Sequence, residues 1–198
     1  MKKIVVSISI FLIAFTTSFA QVAENAEDVT PLKVGENVPT VELTSLENTQ
    51  VSLQEIVKNK PTILLFYRGG WCPYCNKHLA AVGQSKDEIL ALGYQIVGIS
   101  PDAPEELKKS VSKNKLEYDL YSDGDGTLMK GMGIAFKAPK KYSNMLLKHS
   151  GDKNADILPV PSLFVVGEDG KIIYEYVNAD YKTRMSPEEL IKKLESLR

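Results

Sequence analysis

Short apolar runs separated by polar turns recur along the chain and predict a β-sheet built from buried strands. Residues 62–67 and 94–100 are largely apolar stretches, whose length and composition suit central strands buried on both faces. Residues 162–166 form a third stretch, and the turn at residues 168–170 sends the chain back antiparallel over residues 171–177. The pattern therefore predicts two inner strands and a later hairpin in one sheet.

Hydrophobic residues recur at helical spacing between these strands. One helical stretch begins at Pro73 and ends at Gly93, and a second covers residues 104–113. A third begins after Ser186, which is a suitable N-cap, and Pro187 stands in its first turn. The order βαβ followed by ββα predicts an α/β fold in which a central mixed β-sheet is flanked by helices.

Two segments interrupt this order. Residues 21–33 are polar and show no periodicity, so we expect them to be a flexible lead-in, an N-terminal extension of the domain. Residues 127–158 form a long connection without a clear period, which predicts an inserted lobe. The folded domain is accordingly predicted to span residues 34–198 and to contain this insertion.

The N-terminal end of the chain has the pattern of a secretory signal. Lysines at positions 2 and 3 form a basic region, and residues 4–15 form an apolar stretch of the usual length. Ser18 and Ala20 are small residues at the positions that signal peptidase recognises, so we expect residues 1–20 to be removed by cleavage after Ala20. The alternative is an uncleaved anchor, for which the apolar run is short. Cleavage would leave an exported protein, periplasmic or extracellular, with no membrane span.

Composition and charge exclude some classes of partner. Of the 198 residues, 43% are hydrophobic and 25% charged, as in a globular domain large enough to bury a core without structural disulfides or metals. The 24 basic and 25 acidic residues give a formal net charge of −1. This balance argues against nucleic acid or anionic lipid as a partner.

The candidate chemistry lies in the only two cysteines, which stand in residues 71–75, Trp-Cys-Pro-Tyr-Cys. Cysteines of exported chains often form structural disulfides, but a bridge across two residues closes too small a loop to stabilise a fold appreciably. The Cys-x-x-Cys spacing therefore favours thiol–disulfide redox chemistry. A structural disulfide remains one alternative. A metal site that includes His78 is another, although it would need further ligands. No other cofactor is indicated.

The position of the pair predicts different roles for its two sulfurs. Cys72 lies where a buried strand gives way to a helix, and the free N–H groups of a helix start favour a thiolate. We expect Cys72 to be the outer, more exposed nucleophile and Cys75 to be the resolving thiol, so that turnover forms a Cys72–Cys75 disulfide. Pro73 suits the first helical turn, and Trp71 is expected to pack beside the pair. Arg68 either places a positive charge near the thiolate or is an ordinary exposed residue at a strand end.

Residues 66–76, Phe-Tyr-Arg-Gly-Gly-Trp-Cys-Pro-Tyr-Cys-Asn, resemble the signature of a peroxiredoxin-like branch of the alkyl hydroperoxide reductase/thiol-specific antioxidant (AhpC/TSA) family. The likeness extends from about residue 34 to the C-terminus and includes residues 98–102, 121–124 and 158–165. It implies a thioredoxin-like fold, an antioxidant activity on hydroperoxides, and an external thiol or thioredoxin-type electron donor.

The resemblance also implies a substrate-binding role for the turn before the strand at residues 162–166. Thioredoxin-fold proteins carry a cis-proline at this point, and Pro161 is the candidate, with Pro159 as its rival. The backbone of Val160 would then offer hydrogen bonds to a bound substrate chain.

The chain departs from the family pattern around the expected peroxide site. Arg68 and Gly69 stand where peroxiredoxins carry a proline and a threonine. Pro161-Ser162 opens the later strand, near which peroxiredoxins use an arginine. Three hypotheses therefore remain open: reduction of hydroperoxides, reduction of protein disulfides in the cell envelope by a thioredoxin-like mechanism, and a non-catalytic metal or thiol carrier.

Overall fold

The computed structural model describes residues 22–198. The predicted signal sequence, residues 1–20, lies outside the described residues, and its cleavage stays a prediction. Among the described helices, none combines the length and the apolar character needed to cross a membrane.

The described part of the chain alternates short strands and helices. The strands are β1 (Glu42–Thr44), β2 (Gln50–Ser52), β3 (Thr62–Phe66), β4 (Gln95–Ser100), β5 (Asp119–Ser122), β6 (Ala135–Lys137), β7 (Ile157–Pro159), β8 (Ser162–Val166) and β9 (Ile172–Val177). The helices are α1 (Leu53–Val57), α2 (Pro73–Gln84), α3 (Lys86–Ala91), α4 (Pro104–Asn114), α5 (Thr127–Gly131), α6 (Ser143–His149) and α7 (Pro187–Ser196). Short 3-10 turns cover Ala26–Asp28 and Lys140–Tyr142.

Seven of these strands form one mixed sheet in the order β2-β1-β5-β4-β3-β8-β9. Strands β3, β4 and β5 run parallel, β8 pairs antiparallel with β3, and β9 pairs antiparallel with β8. The predicted α/β fold with a central mixed sheet is therefore confirmed. The buried runs lie at its centre because β3, β4 and β8 have neighbours on both sides.

Two hydrophobic cores lie on opposite faces of this sheet. Alternate residues of β3 point to different faces, so Ile63 and Leu65 join the core under α2, α3, α4 and α7, while Leu64 and Phe66 join the other. The first core also contains Cys72 and Cys75. The redox pair is thus part of the packed interior at one end of β3.

The helix predicted from Pro73 to Gly93 is in fact two helices, α2 and α3. The chain turns at Ser85, whose backbone angles (φ −98°, ψ 10°) are not helical and whose N–H donates to the carbonyl of Val82. In α3, Ile89 is fully buried and Leu90 is 43% exposed.

The segment predicted as a flexible lead-in is instead hydrogen-bonded to the rest of the fold. The N–H of Ala23 donates to the carbonyl of Ala135 at 2.9 Å, and the N–H of Lys137 donates to the carbonyl of Ala23 at 2.9 Å. The N–H of Leu32 donates to the carbonyl of Met132 at 3.0 Å. The sequence did not reveal this pairing, because a short extended segment can form backbone hydrogen bonds without any apolar periodicity.

The predicted insertion, residues 127–158, has more regular structure than its sequence suggests. Strands β6 and β7 form a separate antiparallel pair, and α5 and α6 lie in the same segment. Leu128, Ile134 and Leu158 are fully buried in the second core. Each element is too short to show a period, which explains why the sequence predicted an irregular connection.

Candidate active site

The loop between β3 and α2 positions Cys72 at the start of a helix, as predicted. Cys72 is the N-cap residue of α2, and its sulfur accepts a hydrogen bond from the backbone N–H of Cys75 at 3.4 Å. Pro73 occupies the first helical turn, where its missing N–H breaks no intrahelical bond. The cap holds the Cys72 sulfur against the positive end of the helix.

Two glycines determine how the loop reaches Cys72. Gly69 has φ +140°, and a Cβ there would lie 2.4 Å from Nε1 of Trp71. A Cβ on Gly70 would lie 2.2 Å from Oγ of Ser110. A threonine at position 69 would therefore be strained and would clash, so this loop requires glycine where the peroxiredoxin pattern has threonine.

Buried polar side chains hold this loop in place. The N–H of Gly70 donates to Oδ2 of Asp102 at 2.6 Å. Nδ2 of Asn76 donates to the carbonyls of Gly70 at 2.7 Å and Cys72 at 3.2 Å. Nδ2 of Asn114 in turn donates to Oδ1 of Asn76 at 2.9 Å. Burial raises the pKa of Asp102 to about 7, against the Gly70 hydrogen bond that lowers it.

The two sulfurs are in direct contact and both are buried. The Cys75 thiol donates to Sγ of Cys72 at 2.7 Å, and both cysteines are free thiols. Each residue is only 1% exposed. The prediction that Cys72 is the more exposed sulfur is therefore wrong in this state, because the packed side chains around the loop enclose both residues.

Hydrogen bonding and charge make the two sulfurs unequal instead. The Cys75 thiol and its backbone N–H, together with the charges of Arg68 and Arg184, lower the pKa of Cys72 to about 6 against the effect of burial. The same hydrogen bond, together with burial, raises the pKa of Cys75. The arrangement favours a thiolate at Cys72 and a protonated thiol at Cys75; the division into an attacking and a resolving sulfur stays a prediction.

Arg68 is buried among aromatic rings rather than exposed at the strand end. Only 5% of it is accessible, and its guanidinium carbon lies 5.0 Å from the ring of Trp71, 5.5 Å from that of Tyr142 and 4.4 Å from that of Tyr181. The rings of Trp71 and Tyr142 lie 5.6 Å apart. Trp71 thus packs beside the redox pair as predicted, and it also forms one wall of the site that holds Arg68.

Arg184 belongs to the site although no motif indicated it. It lies in the loop between β9 and α7, 109 residues along the chain from Cys75, and its Nη2 is 3.7 Å from Sγ of Cys75. Its neighbour Tyr181 contacts Arg68 and also packs edge-on against Tyr74 of the Cys-Pro-Tyr-Cys segment, with ring centroids 5.7 Å apart. The sequence held no local signal for this contact, because the two residues are brought together only by the fold.

The imidazole of His78 makes its polar contact with a backbone carbonyl. Its Nε2 lies 3.0 Å from the carbonyl of Met185, and burial lowers its pKa to about 4. Within residues 22–198, the structure contains no cluster of three histidine, cysteine, aspartate or glutamate side chains that could hold a metal ion.

The turn before β8 differs from the expectation for Pro161 and Val160. Every peptide bond described in residues 22–198 is trans, so Pro161 is not a cis-proline, and neither is Pro159. Val160 is fully buried, and its N–H donates to the carbonyl of Ile134 at 2.8 Å. The carbonyl of Ile134 in the insertion therefore accepts the backbone N–H of Val160 that the resemblance had left for a substrate. The expectation of a cis-proline at Pro161 was wrong, and the Val160 N–H is not free for a substrate chain.

Comparison with known proteins reveals related sequences and folds. Residues 34–175 match the model of the AhpC/TSA family. A putative peroxiredoxin bcp of Haemophilus influenzae is 33% identical over 104 residues, which cover 52% of this chain and 66% of that protein. Peroxiredoxin Bcp of Escherichia coli is 28% identical over 153 residues, 77% of this chain and 89% of the relative. The crystal structure of peroxidoxin BcpB from Mycobacterium tuberculosis superimposes with a TM-score of 0.67 at 22% identity, covering 84% of this chain and 96% of that one.

Proposed function

The chain belongs to the AhpC/TSA family and is a peroxiredoxin-like thiol oxidoreductase; on this premise, we propose that it reduces hydroperoxides with Cys72 as the attacking thiolate and Cys75 as the resolving thiol. The observation that carries the proposal is the hydrogen bond from the Cys75 thiol to the Cys72 sulfur, which lies near two arginines. This contact lowers the pKa of one sulfur and keeps the proton on the other.

The proposed first step breaks the O–O bond of the hydroperoxide. The Cys72 thiolate attacks one peroxide oxygen and becomes a sulfenic acid, and the other oxygen leaves as an alcohol, or as water from hydrogen peroxide, after taking up a proton. The charges of Arg68 and Arg184 favour the thiolate and stabilise negative charge that develops on the leaving oxygen.

The proposed second step forms the Cys72–Cys75 disulfide and releases water. The Cys75 sulfur attacks the Cys72 sulfenic acid, and the two sulfurs already lie 2.7 Å apart, so the step needs no large rearrangement of α2. Two electrons from an external thiol or thioredoxin-type donor then restore the dithiol. The dithiol itself supplies the redox chemistry, and the proposal needs no metal.

Single-turnover oxidation tests the proposed activity. Trp71 is the only tryptophan and packs beside Arg68, so its fluorescence should report oxidation of the reduced protein by hydrogen peroxide in a stopped-flow experiment. We expect a second-order rate constant well above that of a free thiol with the same pKa. A rate equal to that of such a free thiol would contradict the peroxidase.

Reduction of protein disulfides is the second candidate function. It is favoured by the Cys-Pro-Tyr-Cys dithiol, in which a resolving sulfur lies in contact with the attacking one. Catalysis of insulin reduction in the presence of a small thiol would support it. The two candidate functions are distinguished if the protein is fast either in oxidation by hydrogen peroxide or in insulin reduction, but not in both.

We further propose that the protein is exported and cleaved after Ala20. The basic start, the apolar residues 4–15 and the small residues before the cleavage point support this. Mass spectrometry of the protein recovered from the cell envelope should give an N-terminus at Gln21. An intact Met1 in that fraction would contradict the cleavage.

A further inference from the structure

Two guanidinium groups at the redox site have no carboxylate partner. The ion pairs found within residues 22–198 all involve lysines or His149, and none includes Arg68 or Arg184. Nε of Arg68 is buried and has no hydrogen-bond partner in the described part of the chain. Among residues 22–198, Arg184 donates only to the carbonyl of Thr183 at 3.0 Å and to Sγ of Cys75 at 3.7 Å.

Two acidic side chains close to the site accept other hydrogen bonds. Asp102 is buried and accepts the N–H of Gly70, and its other oxygen lies 3.9 Å from His149. Asp180 accepts the N–H of Lys182 and the hydroxyl of Thr183. The hydrogen bonds from Lys182 and Thr183, together with the charges of Lys182 and Arg184, lower the pKa of Asp180, so its charge belongs in the count. With +1 for each of Arg68, Arg184 and Lys182, and −1 for each of Asp180 and a Cys72 thiolate, these groups keep a net charge of about +1 before any substrate enters.

The positive charge is also held in place. Three aromatic rings enclose the guanidinium of Arg68, which restricts its side chain without neutralising its charge. A buried donor without a partner is unfavourable, and a bound acceptor would relieve it. The start of α2, where Cys72 is the N-cap, adds a further partial positive charge.

We propose that this site binds an oxyanion of the size of a carboxylate at the unpaired guanidiniums of Arg68 and Arg184, and that its preferred substrates are hydroperoxides carrying a negative charge close to the peroxide group. A guanidinium presents a planar fork of donors that fits the oxygens of such an anion. The substrate class rests on the proposed peroxide reduction, whereas the anion site itself does not.

A pair of alkylating reagents tests the anion site without any peroxide. Iodoacetate and iodoacetamide attack the same thiolate but differ in charge, so the ratio of their rate constants cancels any change in the pKa of Cys72. We expect Arg184→Gln to lower the iodoacetate-to-iodoacetamide ratio by about tenfold at low ionic strength. Arg184→Lys should restore part of it, since it keeps the charge but not the fork.

Lys77→Gln is the matched control for this ratio. It removes one positive charge from an exposed position of α2, which carries both the N-cap Cys72 and Cys75, and it should leave the ratio nearly unchanged. Sulfate should slow the iodoacetate reaction of the wild-type protein more than that of Arg184→Gln. Equal ratios in wild type, Arg184→Gln and Lys77→Gln would overturn the anion site.

A matched pair of hydroperoxides tests the substrate class. A hydroperoxide with a nearby carboxylate should oxidise Cys72 about tenfold faster than its methyl ester, and Arg184→Gln should remove most of this difference. Equal rates for acid and ester would overturn the substrate class. If the alkylation ratio behaves as expected but no hydroperoxide reacts faster than with a free thiol, the peroxidase fails and the anion site stands.

Discussion

The loop that carries the cysteines and the segments that enclose it differ in how their contacts arise. In the redox loop, residues 67–76, the cap of Cys72, the turn at Gly69 and the Asn76 bonds to the loop carbonyls join residues close in sequence, and Asp102 and Asn114 add two contacts from a distance. The enclosing segments, residues 140–149 and 178–186, bring Tyr142, Tyr181 and Arg184 from far along the chain. The loop therefore provides the reacting sulfur and the charge of Arg68, while the distant segments enclose the loop and add the charge of Arg184.

The largest expected effect comes from the reacting sulfur itself. Cys72→Ser should lower the rate of oxidation by hydrogen peroxide by about 1000-fold or more, because a hydroxyl is not ionised at neutral pH. Cys75→Ser should instead react once and accumulate a sulfenic acid at Cys72, which dimedone labelling and mass spectrometry would detect. If the two variants behaved alike, the proposed division of roles would be wrong.

The next effect tests the local loop through its glycine. Gly69→Ala should lower the free energy of unfolding by about 1–3 kcal/mol, because its φ of +140° is strained for alanine and the added Cβ meets Trp71. Urea denaturation measures the change. Gly35→Ala is the control, since Gly35 also has positive φ (+93°) but nothing lies within 4 Å of its added Cβ, so it should be less destabilising.

A smaller effect concerns the hydrogen bond between the two sulfurs. The pKa of Cys72 is lowered to about 6, so its alkylation rate should rise with pH, reach half its maximum near that pH and level off above it. Cys75→Ala removes the donor and should raise the pKa of Cys72, so that alkylation at pH 7 slows by about tenfold.

The matched control for this measurement is Cys75→Ser, whose hydroxyl can still donate to the Cys72 sulfur. Its pH profile should stay close to that of the wild-type protein. A pH profile of Cys75→Ala that superimposes on the wild type would show that the arginines and the helix start lower the pKa of Cys72 without the Cys75 thiol.

The smallest effect tests the enclosing segments. Tyr181→Ala removes a ring 4.4 Å from the guanidinium of Arg68 and should raise the iodoacetamide rate of the buried Cys72 by a few-fold, while destabilising the protein by about 0.5–1 kcal/mol. Tyr174→Ala is the control, since Tyr174 contacts Lys193 on α7 rather than the redox site. Equal alkylation rates in both variants would mean that Tyr181 does not limit access.

The sequence predicted well those features that depend on neighbouring residues. The apolar run of β3, the N-cap position of Cys72 and the helix start at Pro73 all follow from periodicity and from the chemistry of helix ends. Ser186 is the N-cap of α7 as its sequence indicated, and Glu189 completes a capping box with it. Such effects act within a few residues, so one chain without any relatives was enough to find them.

Pairings between distant segments were not predictable in the same way. The contact of Arg184 with Cys75 joins residues 109 positions apart, and no spacing rule connects them. The N–H of Val160 donates to the carbonyl of Ile134 in the insertion, a contact that the resemblance to the thioredoxin fold did not predict. The lead-in at Ala23 is paired with the same insertion.

The sequence by itself determined an α/β fold with a redox dithiol at a helix start, and it predicted unequal roles for the two sulfurs, because the helix start and the Cys-x-x-Cys spacing are local properties. Only the tertiary structure decided that Cys72 is buried, that Arg68 lies among three aromatic rings, and that Arg184 adds a second positive charge. Burial and electrostatic interactions act through space, so they depend on which distant segments the sheet brings together rather than on the order of residues around the cysteines.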